Sequence, residues 1–290
     1  MRYALMKTLR KQFPVTLMSR VFDVSKSGYY TWLKRPPSPR AQDNARLEVA
    51  IKAAHVRTRQ SYGSERLRDE LAADGFHAGV GRIKRLRKRM GIRCKQKRKF
   101  KATTHSNHGL PVAENLLKQE FSTQWPNQVW VTDITYIPTH EGWLYLAGIK
   151  DLHTCEIVGY ALGERMTKDL VSRALFGAVA HKRPPPGLIH HSDRGSQYCA
   201  HDYRRLLQQF QMQCSMSRKG NCYDNAPMES FWGTLKNELT HHRRYETRAQ
   251  AMCEITEYIE IFYNRQRRHS KLGYLAPAVF AQKCQQQAVA

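Results

Sequence analysis

The chain is 290 residues long, which is enough for two or three domains, and it carries a formal net charge of +24 at pH 7. Lys and Arg outnumber Asp and Glu by 27 to 7 in residues 1–110, but only by 21 to 17 in residues 111–290. Such a basic amino-terminal part is typical of a module that binds a polyanion, and no apolar run is long enough to span a membrane. These features exclude a membrane protein and favour a cytoplasmic protein that binds nucleic acid.

The seven cysteines are scattered along the chain and include no Cys-x-x-Cys pair. An odd number without regular spacing predicts reduced thiols rather than disulfides. The histidines lack paired cysteines at zinc-binding spacing, so no structural zinc is expected.

The first predicted region, residues 1–39, consists of two or three short helices. Residues 15–34 contain two helices separated by a break, a spacing that fits both a helix-turn-helix and an ordinary helical hairpin with an aromatic core. The two interpretations are equally open at this point. The proline-rich stretch at residues 35–40 predicts a boundary after this region.

Residues 40–100 show the pattern of a DNA-binding helix-turn-helix more clearly. A short helix with two leucines is followed by a glycine turn and by a basic helix at residues 79–90. Arginines recur on this second helix, on a different face from its apolar stripe. The DNA-contact residues predicted there are Arg82, Arg85 and Arg89. Residues 101–120 are basic and polar and predict an exposed linker.

Residues 121–281 predict a mixed α/β domain with a carboxy-terminal helical extension. Three β-branched and aromatic runs, at residues 128–138, 143–151 and 156–163, are joined by short turns and predict an antiparallel meander. Two further strands alternate with helices, which gives a mixed five-stranded sheet with helices on both faces. The glutamine-rich tail, residues 282–290, is predicted to be disordered.

Two basic clusters of this domain are candidate DNA contacts. Arg218 and Lys219 lie in a loop just before a predicted helix, where a mobile loop would cover a substrate. Arg267 and Arg268 follow a predicted helix near the carboxyl end, and we expect them to contact phosphates.

Three acidic residues occupy positions that favour a functional role. Asp133 lies inside the strand VWVTDITYI, and no Lys or Arg occurs between Lys118 and Lys150 to neutralise it. Burying an unpaired polar group costs on the order of 2–7 kcal/mol, and more when the group is charged. Asp193 follows a short apolar strand, and Glu229 lies in the first turn of a helix that opens with Asn-Ala-Pro.

Each acid also has an interpretation without catalysis. Asp193 before Arg-Gly-Ser is a common turn residue, and Glu229 near a helix start is a favourable surface charge. Asp133 is the hardest to explain in this way. Their joint placement on a strand, a strand end and a helix favours one shared crevice. Two or three carboxylates there suit one or two Mg²⁺ or Mn²⁺ ions, which promote in-line phosphoryl transfer.

The longer motifs around these acids resemble those of a known family. WVTDITYI, HSDRGSQY and SMSRKGNCYDNAPMESFWGTLKNE, with YNRQRRHSKLGYLAP at residues 263–277, are similar to the second-frame (OrfB-type) transposases of the two-frame IS-three group of bacterial insertion sequences. The resemblance extends over nearly the whole chain. It implies a ribonuclease-H-like integrase core, similar to that of retroviruses, behind helix-turn-helix units.

The resemblance also implies roles for individual residues. Asp133, Asp193 and Glu229 match the catalytic aspartate, aspartate, glutamate (DDE) triad, with 35 residues, 194 to 228, between the last two. Lys236 matches a basic residue that contacts the element's DNA end, although from the sequence alone it also fits a solvated lysine. The implied reaction is Mg²⁺-dependent cleavage at the end of the insertion element and strand transfer by the freed 3′ hydroxyl. The first transfer would join the two element ends on one strand, giving a branched circle.

The expected partners are the terminal inverted repeats and the target, both double-stranded DNA, further copies of the chain on that DNA, and a partner or fusion segment from an upstream frame. Two other functions stay open from the residues alone. A metal-dependent nuclease or resolvase of the same fold would share the triad. A non-enzymatic DNA-binding regulator would explain the basic module but not the three carboxylates.

Overall fold

The computed structural model describes residues 1–95, 112–218 and 221–289. Most of the predicted linker, and Lys219 of the predicted loop, lie outside the described residues. The chain divides into two compact units, Met1–Ala53 and Ala54–Ala290. Because the helix Pro39–Arg57 crosses this division, the domain boundaries given above stay predictions.

The first unit is helical. Its helices are α1 (Arg2–Leu9), α2 (Val15–Val21), α3 (Lys26–Lys34) and the first part of α4 (Pro39–Arg57). The Ser25 hydroxyl caps α3 by accepting a hydrogen bond from the Gly28 amide at 2.9 Å. Met6, Met18 and Tyr29 form the buried core, so an aromatic side chain of α3 packs inside the unit.

The second unit begins with the end of α4 and with two helices joined by a glycine turn. These helices are α5 (Ser64–Ala73) and α6 (Val80–Arg89). Gly75 has a φ of +83°, which glycine adopts without strain. Leu67 and Leu71 of α5 and Ile83 of α6 are fully buried, so the apolar stripes predicted from the sequence face the interior.

A five-stranded sheet forms the centre of the second unit. Its strands are β1 (Val129–Thr139), β2 (Gly142–Asp151), β3 (Ile157–Gly163), β4 (Ile189–Ser192) and β5 (Gln213–Met216). The strand order is β3-β2-β1-β4-β5. β1, β2 and β3 pair as an antiparallel meander, and β4 pairs in parallel with both β1 and β5. The predicted mixed sheet is therefore confirmed.

Helices cover both faces of this sheet. They are α7 (Lys168–Lys182), α8 (Ser196–Cys199), α9 (His201–Gln209) and α10 (Ala226–Glu238). A Cβ atom on Gly159 would overlap the backbone of α7, whereas a Cβ on Gly148 would lie 2.8 Å from the Trp232 ring of α10. Gly148 pairs with Tyr160, the neighbour of Gly159, so the two glycines lie on opposite faces. Helix α10 thus packs on the face that carries Asp133, which pairs with Gly148.

The carboxy-terminal extension is mainly helical up to Val289, the last described residue. It contains α11 (Arg248–Glu257), a π-helix (Tyr258–Gln266) and α12 (Pro277–Val289). The predicted disordered tail, residues 282–290, is helical over residues 282–289, so the prediction is wrong for these residues, and residue 290 lies outside the described residues. Its Gln and Ala residues have favourable helix propensities, and the preceding turn is anchored by Ala281, which is buried. Within the described ranges, no helix has both the length and the apolar composition needed to cross a bilayer.

Candidate active site

Asp133 lies in the middle of β1 and is half-buried. Its carboxylate accepts a hydrogen bond at Oδ1 from the Ile134 amide, at 2.8 Å, and one at Oδ2 from the Trp232 indole nitrogen of α10, at 3.0 Å. The sequence pattern places Trp232 in the apolar stripe of its helix, but a buried indole N–H needs an acceptor, and this requirement is the available signal for its role. The two donors fix the direction of the carboxylate.

Asp193 follows β4 directly, at the strand end expected from the sequence. Its Oδ1 accepts a hydrogen bond from the Gly195 amide at 2.9 Å. A Cβ atom on Gly195 would lie 3.0 Å from the same oxygen, so glycine allows the backbone to approach this carboxylate closely. The turn that follows β4 therefore orients Asp193 in addition to ending the strand.

Glu229 lies in the first turn of α10 and is exposed. The start of this helix is tied to the sheet, because the Asn225 side-chain amide donates to the Thr132 carbonyl at 3.0 Å and the Lys150 ammonium donates to the Pro227 carbonyl at 3.2 Å. Asparagine is a favoured N-cap residue, because its side-chain oxygen can accept a hydrogen bond from an amide of the first helical turn. Asn225 occupies the N-cap position, but no cap hydrogen bond forms, since its amide reaches the strand instead.

The three acids are neighbours electrostatically. Burial, the negative charge of Asp193 and, more weakly, that of Glu229 raise the pKa of Asp133 to about 8, although its two hydrogen bonds favour the anion. Partial desolvation also raises the pKa of Glu229. In residues 1–95, 112–218 and 221–289, no group of three or more His, Cys, Asp or Glu side chains is close enough to hold a metal ion. The charges of Asp193 and Glu229 thus act on Asp133, but the three carboxylates do not form a preformed three-ligand metal site among the described residues.

Lys236 lies two turns further along α10 and is half-buried. Its Nζ is 5.3 Å from the centroid of the Tyr136 ring on β1, a cation–π contact. Burial lowers the pKa of Lys236, while the negative charge of Asp133 acts in the opposite direction. The alternative of a freely solvated lysine therefore does not describe this side chain, which lies beside the carboxylates.

A second acid of the same motif, Asp224, was missed as a site residue and is fully buried. Its carboxylate accepts hydrogen bonds from Gln119 at 2.8 Å, from Asn115 at 3.0 Å and from the Arg218 amide at 2.7 Å. The Arg218 guanidinium also pairs with it at 3.0 Å and is the main cause of a lowered Asp224 pKa. Asp224 thus anchors the loop before α10. The Arg218 side chain is 56% exposed, and its contact with DNA stays a prediction.

The structure does not place the Arg267 side chain where it could contact a phosphate. It is 4% exposed, and its guanidinium makes a two-pronged pair with Glu238, with Nη2 to Oε1 at 2.8 Å and Nε to Oε2 at 2.9 Å. Although burial acts against the charged form, the Glu238 carboxylate raises the pKa of Arg267. This pairing leaves no accessible edge for DNA, and it contradicts the role expected from the sequence.

Arg268 has a similar role in the second unit. Its Nε donates to Glu70 of α5 at 2.7 Å, and its backbone amide donates to the Tyr62 hydroxyl at 2.6 Å. The carboxy-terminal extension therefore holds the α5–α6 pair through Arg268. In the sequence, a loop with several basic residues looks the same whether these residues bind DNA or pair with acids of the same chain. Only their partners in the folded structure distinguish the two roles.

The arginines of α6 fit their predicted role better. Arg85 and Arg89 are exposed and Arg82 is half-buried, while the neighbouring Arg87 is buried and donates to the Ser64 hydroxyl at 3.1 Å. One basic helix therefore combines a structural arginine with an accessible arginine face.

Comparisons with known proteins agree with this arrangement. Two family models described as "Integrase core domain" match residues 123–222 and 210–277, and one described as "HTH-like domain" matches residues 41–100. The chain is 63% identical over 93% of its length to all of the "Insertion element IS600 uncharacterized 31 kDa protein" of Shigella sonnei. It is also 42% identical over 98% of its length to 99% of "Transposase InsF for insertion sequence IS3A" of Escherichia coli (strain K12).

The chain belongs to the transposase family of IS3-type insertion sequences. These full-length matches confirm the family and the integrase-core fold expected from the motifs. Among solved structures, this transposase is similar to a simian T-cell lymphotropic virus intasome in complex with PP2A regulatory subunit B56 gamma, at 15% identity and a TM-score of 0.46, with 74% of this chain and 70% of that chain covered. The comparisons give no support to a regulator or to a resolvase.

Proposed function

We propose that this transposase hydrolyses a phosphodiester at the end of its insertion element and then uses the freed 3′ hydroxyl to attack a second phosphodiester. Asp133, Asp193 and Glu229 are the acids that would hold one or two divalent ions for both steps. The carrying observation is the pKa of Asp133, raised to about 8 by burial and by the two other acids. Acids gathered in this way become favourable when a cation neutralises them.

The donor set fits Mg²⁺ or Mn²⁺. Hard oxygen ligands suit these ions, and Mg²⁺ is commonly bound by one or two carboxylates together with substrate phosphates rather than by an all-protein cage. The absence of a preformed three-acid group in the described residues is consistent with such a site. When bound, the ion supplies Lewis acidity, which activates the attacking oxygen and stabilises the leaving oxygen.

The chain's own groups divide the work of orientation. The indole of Trp232 and the Ile134 amide fix the Asp133 carboxylate, and the Gly195 amide fixes that of Asp193. Glu229 is the most exposed of the three, so its side chain is free to turn toward the two aspartates when DNA and ions bind. Such positioned charge provides most of what in-line phosphoryl transfer requires from a protein.

DNA recognition belongs mainly to the basic amino-terminal part. Helix α6 presents Arg85 and Arg89 to solvent, and a basic helix after a short helix and a turn is the arrangement that reads a major groove. We propose the terminal inverted repeats and target DNA as its ligands, with further copies of the chain, and a segment from an upstream frame, as partners on that DNA. This proposal places the protein in the bacterial cytoplasm.

The proposal is tested by replacing Asp193 with Asn. Strand cleavage and transfer on an element-end duplex should fall below detection, while DNA affinity stays equal or rises, because removing an anion beside phosphates lessens repulsion. The matched control is Asp169→Asn, which changes an exposed acid in the first turn of α7. Cleavage by Asp193→Asn at the rate of the control would refute the assignment.

A further inference from the structure

Two large aromatic side chains are exposed on the hairpin of β1 and β2, close to the carboxylates. Tyr136 is 39% exposed and Trp143 is 49% exposed. Their ring centroids are 4.9 Å apart and their planes are inclined by 82°, an edge-to-face pair. They occupy diagonal positions of the hairpin, since Tyr136 pairs with Tyr145 and Trp143 with Pro138. We call this pair the aromatic platform.

The aromatic platform lies next to the candidate active site. Tyr136 follows Asp133 by three residues on one strand, which corresponds to about 10 Å at roughly 3.3 Å per residue. The Lys236 ammonium lies 5.3 Å from the Tyr136 ring centroid, and Lys236 in turn interacts with the charge of Asp133. Alternation along β1 points the Tyr136 and Asp133 side chains to opposite sides of the strand. Lys236, which lies by the Tyr136 ring and feels the charge of Asp133, is therefore the group that connects the platform to the carboxylates.

The hairpin that carries the platform is held firmly. The His140 amide donates to the Tyr245 carbonyl at 3.0 Å, and the Arg248 amide donates to the Glu141 carboxylate at 2.7 Å. The Arg248 Nε also donates to the Trp143 carbonyl at 3.2 Å. These bonds fix the backbone of the turn without using either exposed ring, so the rings are preorganised. The Tyr136 ring meets the Lys236 ammonium and the Trp143 ring, and the remaining exposed surface of the pair is open to a ligand.

A second exposed aromatic pair shows what is particular to the first. Phe176 of α7 is 49% exposed and meets Phe210 edge-to-face at 5.8 Å. This pair belongs to helices on the opposite face of the sheet from α10 and has no ammonium over its rings among the described contacts. Exposure alone therefore does not distinguish the platform. Its contact with Lys236, which also feels the charge of Asp133, does.

The combination of ring faces and an ammonium matches one kind of ligand, a nucleotide. Bases stack on aromatic side chains irrespective of their sequence, and the attached phosphate is attracted to a cation. Inside a paired duplex both faces of a base are covered by its neighbours, so an interior base must leave the stack before it can use such a surface, whereas a base at a strand end has an open face. An exposed aromatic pair near a cleavage site therefore fits the end of a strand better than the interior of a helix.

We propose that Tyr136 and Trp143 form a stacking site for an unpaired base at the DNA end being cleaved or joined, with Lys236 contacting the phosphate of that nucleotide. This inference rests on the proposed function. Its consequence is that the transposase prefers an opened DNA end to a fully paired one, because the platform stabilises the opened form.

The test compares two DNA probes on the full-length protein with a chelator present, so that no cleavage occurs. One probe is a duplex of the element's terminal inverted repeat, and the other carries a few unpaired nucleotides at the same end. Wild-type protein should bind the opened probe more tightly. Trp143→Ala and Tyr136→Leu should each weaken binding of the opened probe by about tenfold, as expected for a lost stacking contact, and leave the paired probe unchanged. Trp143→Phe should retain most of the preference.

Two further measurements separate base stacking from a general loss of DNA binding and from self-association. A 2-aminopurine placed at the opened end should lose fluorescence on binding wild-type protein but not Trp143→Ala, and Phe176→Ala should behave as wild type in both assays. Equal loss of affinity on both probes, or no loss on either, overturns the proposal. So does a change in self-association without DNA that leaves the probe preference intact, since the platform would then contact a second copy.

The outcome is independent of the catalytic proposal. Probe preference is a binding measurement without metal, whereas the triad assignment is read from cleavage by Asp193→Asn. A triad that fails its test leaves the platform result interpretable, and a platform that fails leaves the triad result unchanged.

Discussion

Helix α10 carries one glutamate in its first turn and another at its last residue, and their surroundings differ. Glu229 is exposed, and its negative charge contributes to the raised pKa of another acid, Asp133. Glu238 has a side-chain exposure of 8% and accepts hydrogen bonds from the Arg267 guanidinium and, at 2.7 Å, from the Tyr258 hydroxyl. The two positions are about 13 Å apart along the helix, at 1.5 Å per residue.

The comparison separates two uses of carboxylate charge within one element. At Glu238 each carboxylate oxygen has donors at hydrogen-bond distance, so the charge contributes to holding the extension against α10. At the other end, burial and the charges of Asp193 and Glu229 raise the pKa of Asp133, and among the described residues its carboxylate has two neutral donors. A charge that is fully satisfied by the chain serves the fold. Acids that destabilise one another need a ligand from outside the chain.

The largest expected effect on stability follows from breaking the ion pair between Glu238 and Arg267 at the carboxyl end of α10. Glu238→Gln should lower the free energy of unfolding by about 3–5 kcal/mol, because Arg267 would be left buried without its counter-charge. The matched change Glu229→Gln should alter stability by less than about 0.5 kcal/mol, as expected for an exposed side chain, while abolishing strand transfer. Urea unfolding and a strand-transfer assay on both variants measure the two effects.

A double variant checks that the loss belongs to the pair. Glu238→Gln combined with Arg267→Met removes both charges, and it should recover much of the stability lost by Glu238→Gln alone. If Glu238→Gln and Glu229→Gln proved equally stable, the contrast between the two ends of α10 would be lost.

An intermediate effect is expected at Asp133, with a definite pH dependence. Since its folded pKa is raised from the ordinary range of an aspartate to about 8, the folded chain binds this proton more tightly than the unfolded chain does. Stability from this group is present at low pH and is lost as pH rises toward 8. Asp133→Asn removes this loss, so the variant should gain on the order of 2–4 kcal/mol relative to wild type between about pH 5 and about pH 9.

The measurement is urea unfolding at both pH values in a metal chelator, with Asp169→Asn as the control acid. The amide has fewer acceptors for Trp232 and Ile134, which adds a constant offset but no pH dependence. A stability difference that does not change with pH would mean that Asp133 is neither desolvated nor coupled to its neighbours. Adding Mg²⁺ should reduce the difference by stabilising only the wild type.

The placement of the three acids was largely predictable, because the local sequence around each acid specifies the element that positions it in the fold. The β-branched run around Asp133, the strand end at Asp193 and the helix start before Glu229 each specify an element, and the elements determine the placement of the acids. The need of the Trp232 N–H for an acceptor was predictable, but its partner Asp133 was not, because the position of Trp232 in the helical stripe is the same whichever acceptor it meets. Arg267 was predicted to bind DNA because other cations surround it in the sequence, but it pairs with Glu238, 29 positions away.

The same limit explains the tail and the loop acid. Residues 282–290 lack an apolar pattern, but good helix formers following an anchored turn continue α12 to Val289. Asp224 joins Arg218, 6 positions before it, to Gln119 and Asn115, which lie 105 and 109 positions before it in the sequence. Long-range satisfaction of buried polar groups is a property of the folded chain and leaves little trace in local sequence.

The smallest expected effect concerns Lys236, which lies between the two ends of α10. Lys236→Met keeps a long apolar stem over Tyr136 but removes the ammonium, so stability should change little. Affinity for end DNA should fall by about 1 kcal/mol, and the log–log salt slope should become shallower by about 0.9, the value for one lost phosphate contact. Lys283→Met, which changes an exposed lysine of α12, is the control.

Metal affinity distinguishes this role from that of the triad. Lys236 lies two helical turns from Glu229, about 10 Å along the axis, and an ammonium repels a cation, so Mn²⁺ binding by Lys236→Met should equal that of wild type. Equal loss of affinity on end DNA and on random DNA would identify a plain phosphate contact, whereas a larger loss on end DNA would identify a contact specific to the end. An unchanged salt slope would show that the ammonium meets no phosphate, and Lys236 would then serve only to cover the ring of Tyr136.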